Sequence, residues 1–148
     1  MTDRRMYPQG SGDATDAVAG NDLKQLRRRC TLAEINAGVE LLPAKQGWKY
    51  RIVDWSMIAV GGAAAGATDA RILGTRAGSS VALAAAAVAG LTQNTLLRAG
   101  AANAAILAGG DSFTPLDNNT PVTAGKTGAT MTGPTSIDVI LTYVAEVA

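Results

Sequence analysis

The strongest structural signal in the sequence is a two-residue hydrophobic period across its last long segment, Ser136–Val147. One parity holds Ile137, Val139, Leu141, Tyr143 and Val147, and the other holds Asp138, Thr142 and Glu146 together with Ile140 and Val144. Successive side chains of a β-strand point to opposite faces, so this period predicts a long strand with one buried face. A chain that contains such a strand must also supply strands to pair with it.

Further strands are predicted between turn-forming residues. Residues 50–60 are almost continuously apolar, which is typical of a strand covered on both faces for part of its length. Weaker strands are predicted at 68–75, 95–99 and 121–123. Turn chemistry occurs at Gly61-Gly62, Gly109-Gly110-Asp111, Asp117-Asn118-Asn119 and Gly133-Pro134. Turns at this spacing predict a mainly β fold, an antiparallel β-sandwich or jelly-roll-like domain.

Two alanine-rich segments allow either a helix or a strand. The alanine content of residues 81–91 favours a helix by intrinsic propensity. The strands predicted on either side favour a buried strand instead, because core strands can be continuous apolar runs. Residues 101–107 carry the same ambiguity, and both alternatives stay open for both segments.

The sequence changes character at Cys30. Residues 1–29 are polar and contain few large apolar side chains. Ordering a backbone opposes folding by roughly 1–2 kcal/mol per residue, so this segment is predicted to be an extended N-terminal arm that is flexible or ordered by a partner. Residues 30–148 are predicted to form the β domain.

The arm also contains the residues predicted to contact a partner. They are Arg4, Arg5, Tyr7, Leu23, Leu26, Arg27, Arg28 and Arg29. Within the arm, residues 21–29 are predicted to form a short helix, because Asn21 or Asp22 can cap its start and the three arginines suit its C-terminal end.

The sequence offers few of the residues from which active sites are built. It contains no histidine and one cysteine, so the commonest general base and a cysteine zinc site are both lacking. The carboxylates Glu34, Glu40, Asp54, Asp69, Asp111, Asp117, Asp138 and Glu146 are scattered and are expected on the surface. No catalytic residue, cofactor or metal site is predicted, and an enzyme is not expected.

Three smaller features have simple structural interpretations. Gly125-Lys126-Thr127-Gly128 contains a Gly-Lys-Thr tripeptide, but Thr120 stands where a phosphate-binding loop needs glycine, so a hairpin turn is predicted. Cys30 is predicted to be a free thiol between arm and domain; alternatively, the preceding arginines lower its pKa and make it reactive. Trp48 and Trp55 are predicted to lie in the core, with a ligand-stacking role as the alternative.

The charge balance argues against binding to nucleic acid or a membrane. The net charge is +1, and the arginine clusters are accompanied by aspartates, so uniform attraction to nucleic acid is not expected. The first thirty residues lack the apolar run of a signal peptide, and no apolar run approaches the about 20 residues of a membrane span. Synthesis in the cytosol is therefore expected.

Several phrases stand out between residues 31 and 148. They are Glu34-Ile35-Asn36-Ala37-Gly38, Leu41-Leu42-Pro43-Ala44, Tyr50-Arg51-Ile52-Val53-Asp54 with Met57 and Gly61-Gly62, Gly90-Leu91-Thr92-Gln93-Asn94-Thr95, and Thr135-Ser136-Ile137-Asp138-Val139-Ile140-Leu141-Thr142-Tyr143. Together they resemble the capsid decoration, or cement, proteins of tailed bacteriophages. The phrases consist mainly of small and β-forming residues and contain no catalytic motif.

The resemblance implies a β-sandwich or jelly-roll domain on the outer capsid surface of a virion. Such a protein is made in the bacterial host cytoplasm, forms a homo-oligomer, with a trimer slightly favoured over a dimer, and ties neighbouring major capsid protein subunits together. A tail, baseplate or fibre component is an alternative structural role. A carbohydrate- or ligand-binding jelly roll, using Trp48 and Trp55, is an alternative binding role.

Overall fold

The computed structural model describes residues 22–106 and 114–148, and this part of the chain is mainly β. Its elements in chain order are β1 Leu23–Thr31, α1 Leu32–Ala37, β2 Val39–Leu42, β3 Trp48–Val60, β4 Ala65–Arg76, β5 Ser79–Ala87, a 3-10 turn Val88–Gly90, β6 Leu96–Arg98, β7 Ala104–Ile106, β8 Val122–Thr132 and β9 Ser136–Val147. The predicted mainly β class is confirmed.

The strands form two antiparallel sheets. The first sheet has the order β1-β9-β3-β6, and the second has the order β2-β8-β4-β5-β7. The pairs are nested along the chain: β1 pairs with β9, β2 with β8, β3 with β6 and β4 with β5. Early strands therefore pair with late ones, and most of the pairing is long-range.

One hydrophobic core receives side chains from both sheets. On β9, Ile137, Val139 and Leu141 are fully buried, as the two-residue period predicts. The second sheet contributes fully buried Ile72 and Met131 among others. Burying a side chain of this size contributes about 1.5–3 kcal/mol, so these positions account for much of the stability of the fold.

The period on β9 is imperfect at both ends, because Ser136 and Asp138 on the polar parity are also buried near its N-terminal end. Tyr143 is partly buried, and Val147 is exposed although both share the buried parity. The pairing of β9 with β3 shifts register between Thr142 and Tyr143. A bulge of this kind changes the twist of a strand locally.

The alanine-rich segments are largely resolved in favour of strands. Residues 79–87 form β5, and a single 3-10 turn follows at Val88–Gly90. Ala84 and Ala86 are fully buried, so pairing with β4 and burial against the core override the helix propensity of alanine. In the second segment, residues 104–106 form β7, whereas Leu107 lies outside the described residues.

The helix predicted over residues 21–29 is wrong from residue 23 onward. Residues 23–31 form β1, which pairs with β9 along its whole length. Its side chains alternate, with Leu26 and Cys30 toward the core and Arg27 and Arg29 exposed. This alternation satisfies a sheet and not a helix, and the pairing with β9 decides the outcome.

The boundary predicted between residues 29 and 30 consequently falls inside β1. Residues 23–29 belong to the first sheet, so removing residues 1–29 would also remove most of its edge strand. The remainder of the predicted arm, including Arg4, Arg5 and Tyr7, lies outside the described residues.

The hairpin turn predicted at Gly125–Gly128 is also wrong, because these residues lie within β8. Gly125 pairs with Arg71 of β4, and the register shifts near Gly128. Gly128 has a φ of +78°, and an added Cβ would lie 2.5 Å from Thr68 Oγ1. The glycine therefore serves a bulge with a close approach between strands, and the turn follows at Gly133 instead.

The short helix α1 was not predicted, although its start has a sequence signature. The Thr31 side chain accepts a hydrogen bond from the Glu34 amide, and the Glu34 carboxylate accepts one from the Thr31 amide at 2.8 Å. This reciprocal arrangement is a capping box, readable as Thr-x-x-Glu. It turns the chain from β1 of the first sheet toward β2 of the second.

Cys30 is a free, fully buried thiol. Burial raises the pKa of this thiol, and the opposing effect of Arg28 is smaller, so the alternative of an activated cysteine is wrong. Ellman's reagent is therefore expected to label Cys30 negligibly in the native protein and fully in denaturant. Rapid labelling of the native protein, without loss of its structure, would contradict this burial.

Candidate protein-binding surface

The outer side of the four-stranded sheet carries two rows of side chains that face away from the core. The first row runs Arg29, Asp138, Ile58, Leu96, and the second runs Arg27, Ile140, Ser56, Arg98. We call the surface formed by these eight residues the arginine face. Period-two alternation on β1, β9, β3 and β6 places all eight on the same side.

Asp138 is the buried residue that positions two arginines of the arginine face. The residue is 1% exposed, and its carboxylate accepts hydrogen bonds from Arg29 Nε at 2.6 Å and from Arg27 at 2.7 Å. The hydrogen bond from Arg29 lowers the pKa of Asp138 most, burial opposes it, and Arg27 lowers it further, to about 2. The carboxylate stays ionised because both partners are cationic.

The two arginines remain largely in water while they hold this carboxylate. Their side chains are 64% exposed for Arg27 and 59% exposed for Arg29. Two guanidinium groups share one buried carboxylate, so this end of the arginine face carries one uncompensated positive charge. Each guanidinium has five N–H donors in a planar fork, and the carboxylate uses only some of them.

A groove of about 250 Å³ borders the arginine face, between its second row and the neighbouring row formed by Gln25, Thr142 and Asp54. Its lining includes Gln25, Asp54, Ser56, Leu96, Arg98, Ile140 and Thr142. Leu96 is 48% exposed, and Arg98 makes no ion pair with any residue in the described ranges. The groove thus combines apolar surface with a second exposed cation.

The whole outer side of this sheet has an excess of positive charge. Its cationic side chains are Arg27, Arg29, Lys49, Arg51 and Arg98, and its acidic ones are Asp54, Asp138 and Glu146. Five cations against three anions leave an excess of two positive charges. Glu146 is paired with Arg51 at 2.6 Å, so the excess is concentrated on the arginine face.

The edge strand β1 is tied down on its other side as well. Arg28 donates to Glu34 of α1 at 2.9 Å and to the Glu40 carbonyl of β2. Leu26 packs against the core. These contacts link β1 to the second sheet, so Arg27 and Arg29 stand on a strand held from both sides.

The outer side of the second sheet is chemically different. Arg71 donates to Asp69 at 2.9 Å, and Thr127 donates to the same carboxylate at 2.7 Å. Ala85 and Ala87 lie beside this cluster and line a cavity of about 300 Å³. The charges here neutralise one another, and the neighbouring side chains are small.

The predicted partner-contact residues divide between the two sides of β1. Arg27 and Arg29 belong to the arginine face, and Leu23 lies exposed on the same side of the sheet. Leu26 and Arg28 point to the opposite side and contact the protein's own core and α1. Leu23, Arg27 and Arg29 therefore stay predicted partner contacts on an exposed surface, whereas Leu26 and Arg28 make contacts within the protein itself.

Sequence reasoning did not single out the six members contributed by other strands, namely Ser56, Ile58, Leu96, Arg98, Asp138 and Ile140. One signal was present, since Ile140 stands on the parity of β9 that is otherwise polar. The expectation of a surface position for every carboxylate is wrong for Asp138 and Asp69, which are buried. Their burial is possible because arginines on neighbouring positions pair with them.

Neither tryptophan presents a free ring for stacking. Trp55 is 2% exposed in the core, as predicted. Trp48 is partly buried, and Lys45 Nζ lies 4.0 Å from the centre of its ring, so one face of the ring is covered by a cation. The arrangement is a structural cation–π contact.

The described part of the chain contains no cluster of three or more histidine, cysteine, aspartate or glutamate side chains that could hold a metal ion. Among the same residues, no helix has the length and apolarity required to cross a bilayer. The fold and the arginine face together describe a mainly β protein with a surface that is both cationic and apolar. No family model, curated protein or solved structure matches the chain.

Proposed function

We propose that the chain is a structural virion protein that binds the outer surface of a phage capsid and cements neighbouring major capsid protein subunits. The observation that carries this proposal is the arginine face, an exposed cationic and apolar surface held on a rigid sheet by a buried carboxylate. Interfaces between proteins combine apolar centres with arginine in this way. The resemblance of several phrases to phage cement proteins supports the major capsid protein as the proposed partner.

The finer fold assignment belongs to the same proposal. Nested pairing of β1 with β9, β2 with β8, β3 with β6 and β4 with β5 supports a jelly roll, in which a folded ribbon of strands wraps into two facing sheets. In this description β7 is an added edge strand beside β5. A jelly roll closes its core between the sheets and leaves their outer sides available for contacts.

Attachment at more than one point suits a repeating lattice. We propose that the arginine face supplies one contact and that residues 1–21, with Arg4, Arg5 and Tyr7, supply another. A first weak contact raises the effective concentration for the second, so the combined affinity exceeds either alone. A homo-oligomer, preferably a trimer, multiplies these contacts further. No enzymatic step, cofactor, membrane or nucleic acid is part of the proposal.

Particles with and without the chain provide the test. Virions are purified from cultures that express the chain natively and from cultures in which its gene is deleted, and their heads are heated while DNA release is recorded. The proposal predicts that heads lacking the chain release DNA at a lower temperature, and that adding the purified chain restores the original value. Equal release temperatures would reject a cementing role.

The location of the chain on the particle separates the alternative structural role. A tail, baseplate or fibre component would be found on purified tails and not on isolated heads. The carbohydrate-binding alternative has less support, because Trp55 is buried and one face of the Trp48 ring is covered by Lys45.

A further inference from the structure

We infer that the arginine face binds an acidic protein segment in which two carboxylates flank an apolar side chain. The location of that segment on a capsid protein rests on the proposed function, whereas its chemistry follows from the surface itself. Three observations carry the inference: the unequal pairing of charge, the order of side chains along one row, and the exposure of the apolar centre.

The first observation is that the cations of the arginine face are not neutralised within the described structure. Asp138 is the common partner of Arg27 and Arg29, which leaves one positive charge in excess. Arg98, at the other end of the face, forms no ion pair with any described residue. Guanidinium groups bind carboxylates through parallel hydrogen bonds, so a carboxylate partner matches both ends.

The second observation is the order of side chains along the second row of the arginine face. A cation is followed by an apolar side chain, a small one and another cation. Arg27, Ile140, Ser56 and Arg98 lie opposite one another on four adjacent strands. Strands are spaced by about 4.8 Å, so Arg27 and Arg98 start from backbones about 14 Å apart. An extended partner segment spans that distance in about four residues.

The third observation concerns the centre of the row. Ile140 and Ser56 line the groove, and Leu96 is half-exposed beside them. An apolar side chain placed between two partner carboxylates would enter this groove and displace water from Ile140 and Leu96. Removing apolar surface from water is favourable by about 25 cal/mol per Å², which adds to the contacts with the arginines.

These features favour an acidic protein segment over nucleic acid. Asp54 lines the groove and would repel a phosphate chain that passed between the arginines. Trp55, which also lines the groove, is almost fully buried and cannot stack on a base. Single-stranded nucleic acids bind proteins through exposed aromatic rings together with continuous positive charge.

Labelled peptides test the inference on the intact protein. The probe is a fluorescein-labelled peptide with the central sequence Glu-Ala-Leu-Ala-Glu and flanking Gly-Ser residues, and binding is followed by fluorescence anisotropy at low salt. We expect saturable binding that weakens as salt rises. The substitution Arg98→Gln or Arg27→Gln is expected to raise the dissociation constant about three- to fivefold, as for exposed ion pairs.

Matched controls separate specific recognition from general charge. The variant Lys126→Gln removes one positive charge from the second sheet and is expected to leave the dissociation constant unchanged. A peptide with glutamine in place of both glutamates, and one with serine in place of leucine, are both expected to bind more weakly than the probe. Circular dichroism and thermal melting confirm that each variant is folded.

Several outcomes would overturn the inference. They are absence of probe binding up to about 1 mM, equal binding of the glutamate and glutamine peptides, equal effects of Lys126→Gln and Arg98→Gln, and preference for a labelled oligo-deoxythymidine. If heads bind the wild-type chain and the Arg98→Gln variant equally, the capsid role stands and this surface is not its contact. If the peptide binds specifically but heads do not, the capsid role fails and the surface chemistry stands.

Discussion

Replacing Asp138 by asparagine is expected to lower the free energy of unfolding by about 2 kcal/mol at neutral pH. The pKa of Asp138 falls from its ordinary value of 3.8 to about 2, and each pKa unit corresponds to about 1.4 kcal/mol. Screening reduces this contribution because both arginines are largely exposed. The substitution also leaves two guanidinium groups side by side without their counter-charge. Their repulsion adds to the loss of stability and so offsets part of the reduction caused by screening.

The pH dependence of this difference has a definite sign. Because the folded-state pKa is below the unfolded value, the ionised carboxylate stabilises the fold fully above about pH 4. That stabilisation is lost as the pH falls through about 2, the folded-state pKa. Wild type and Asp138→Asn should therefore differ most above pH 4, and their difference should shrink between pH 4 and pH 2.

Urea denaturation at a series of pH values measures this difference, and Asp54→Asn is the matched control. Asp54 lies on the same side of the same sheet but is exposed, so its substitution should change stability by less than about 0.5 kcal/mol. A neutral-pH difference for Asp138→Asn as small as that for Asp54→Asn would show that Asp138 does not hold β1 in place. Asp138 would then not be the residue that positions Arg27 and Arg29.

Replacing Gly133 by alanine is expected to have a still larger effect, about 4 kcal/mol, and to reduce the yield of folded protein. Gly133 has a φ of +108°, which side-chain-bearing residues rarely adopt. An added Cβ would also meet the carbonyl oxygen of Ala63 far inside van der Waals contact. Because that neighbour is backbone, relief requires the turn before β4 to move away from the turn before β9.

Gly78→Ala separates the two causes. Gly78 also has a positive φ, +75°, but nothing lies within 4 Å of an added Cβ. Its substitution should therefore lower the free energy of unfolding by only about 1 kcal/mol, measured by the same urea titration at equal slopes. Equal losses for Gly78→Ala and Gly133→Ala would contradict the close approach of the two turns.

Both substitutions bear on how the arginine face is held. The Asp138 carboxylate fixes β1 against β9, and Gly133 allows the turn through which β8 continues into β9. The Thr135 amide donates to the Val60 carbonyl at 2.9 Å, which joins that turn to the end of β3. Four of the eight residues of the arginine face stand on the two strands that meet there, namely Ser56, Ile58, Asp138 and Ile140.

Part of the fold could be predicted from the sequence because local patterning and long-range pairing agree. Ser136–Val147 has the same bounds in the structure as in the prediction, since its period marks one face for the core. In β1 the local signals conflicted with the pairing. The aspartate just before it and its arginines suited the two ends of a helix, whereas nine residues of pairing with β9 made it a strand.

The arginine face could be predicted only in part for the same reason. Arg27 and Arg29 were recognisable as a cluster within one segment. Arg98 lies on the same surface only because β6 pairs with β3, β3 with β9, and β9 with β1. These pairings join residues that are tens of positions apart in the sequence. The buried position of Asp138 depends on the same pairing, so its solvent-facing parity gave the wrong expectation.

The copy number of the chain on intact particles tests the central claim most directly. Native mass measurement and quantitative peptide mass spectrometry on purified virions would give the ratio of this chain to the major capsid protein. A cement protein predicts a constant ratio set by the capsid lattice, retained on heads after tails are removed. Virions that contain no copy of the chain, or copies on tails alone, would contradict the account.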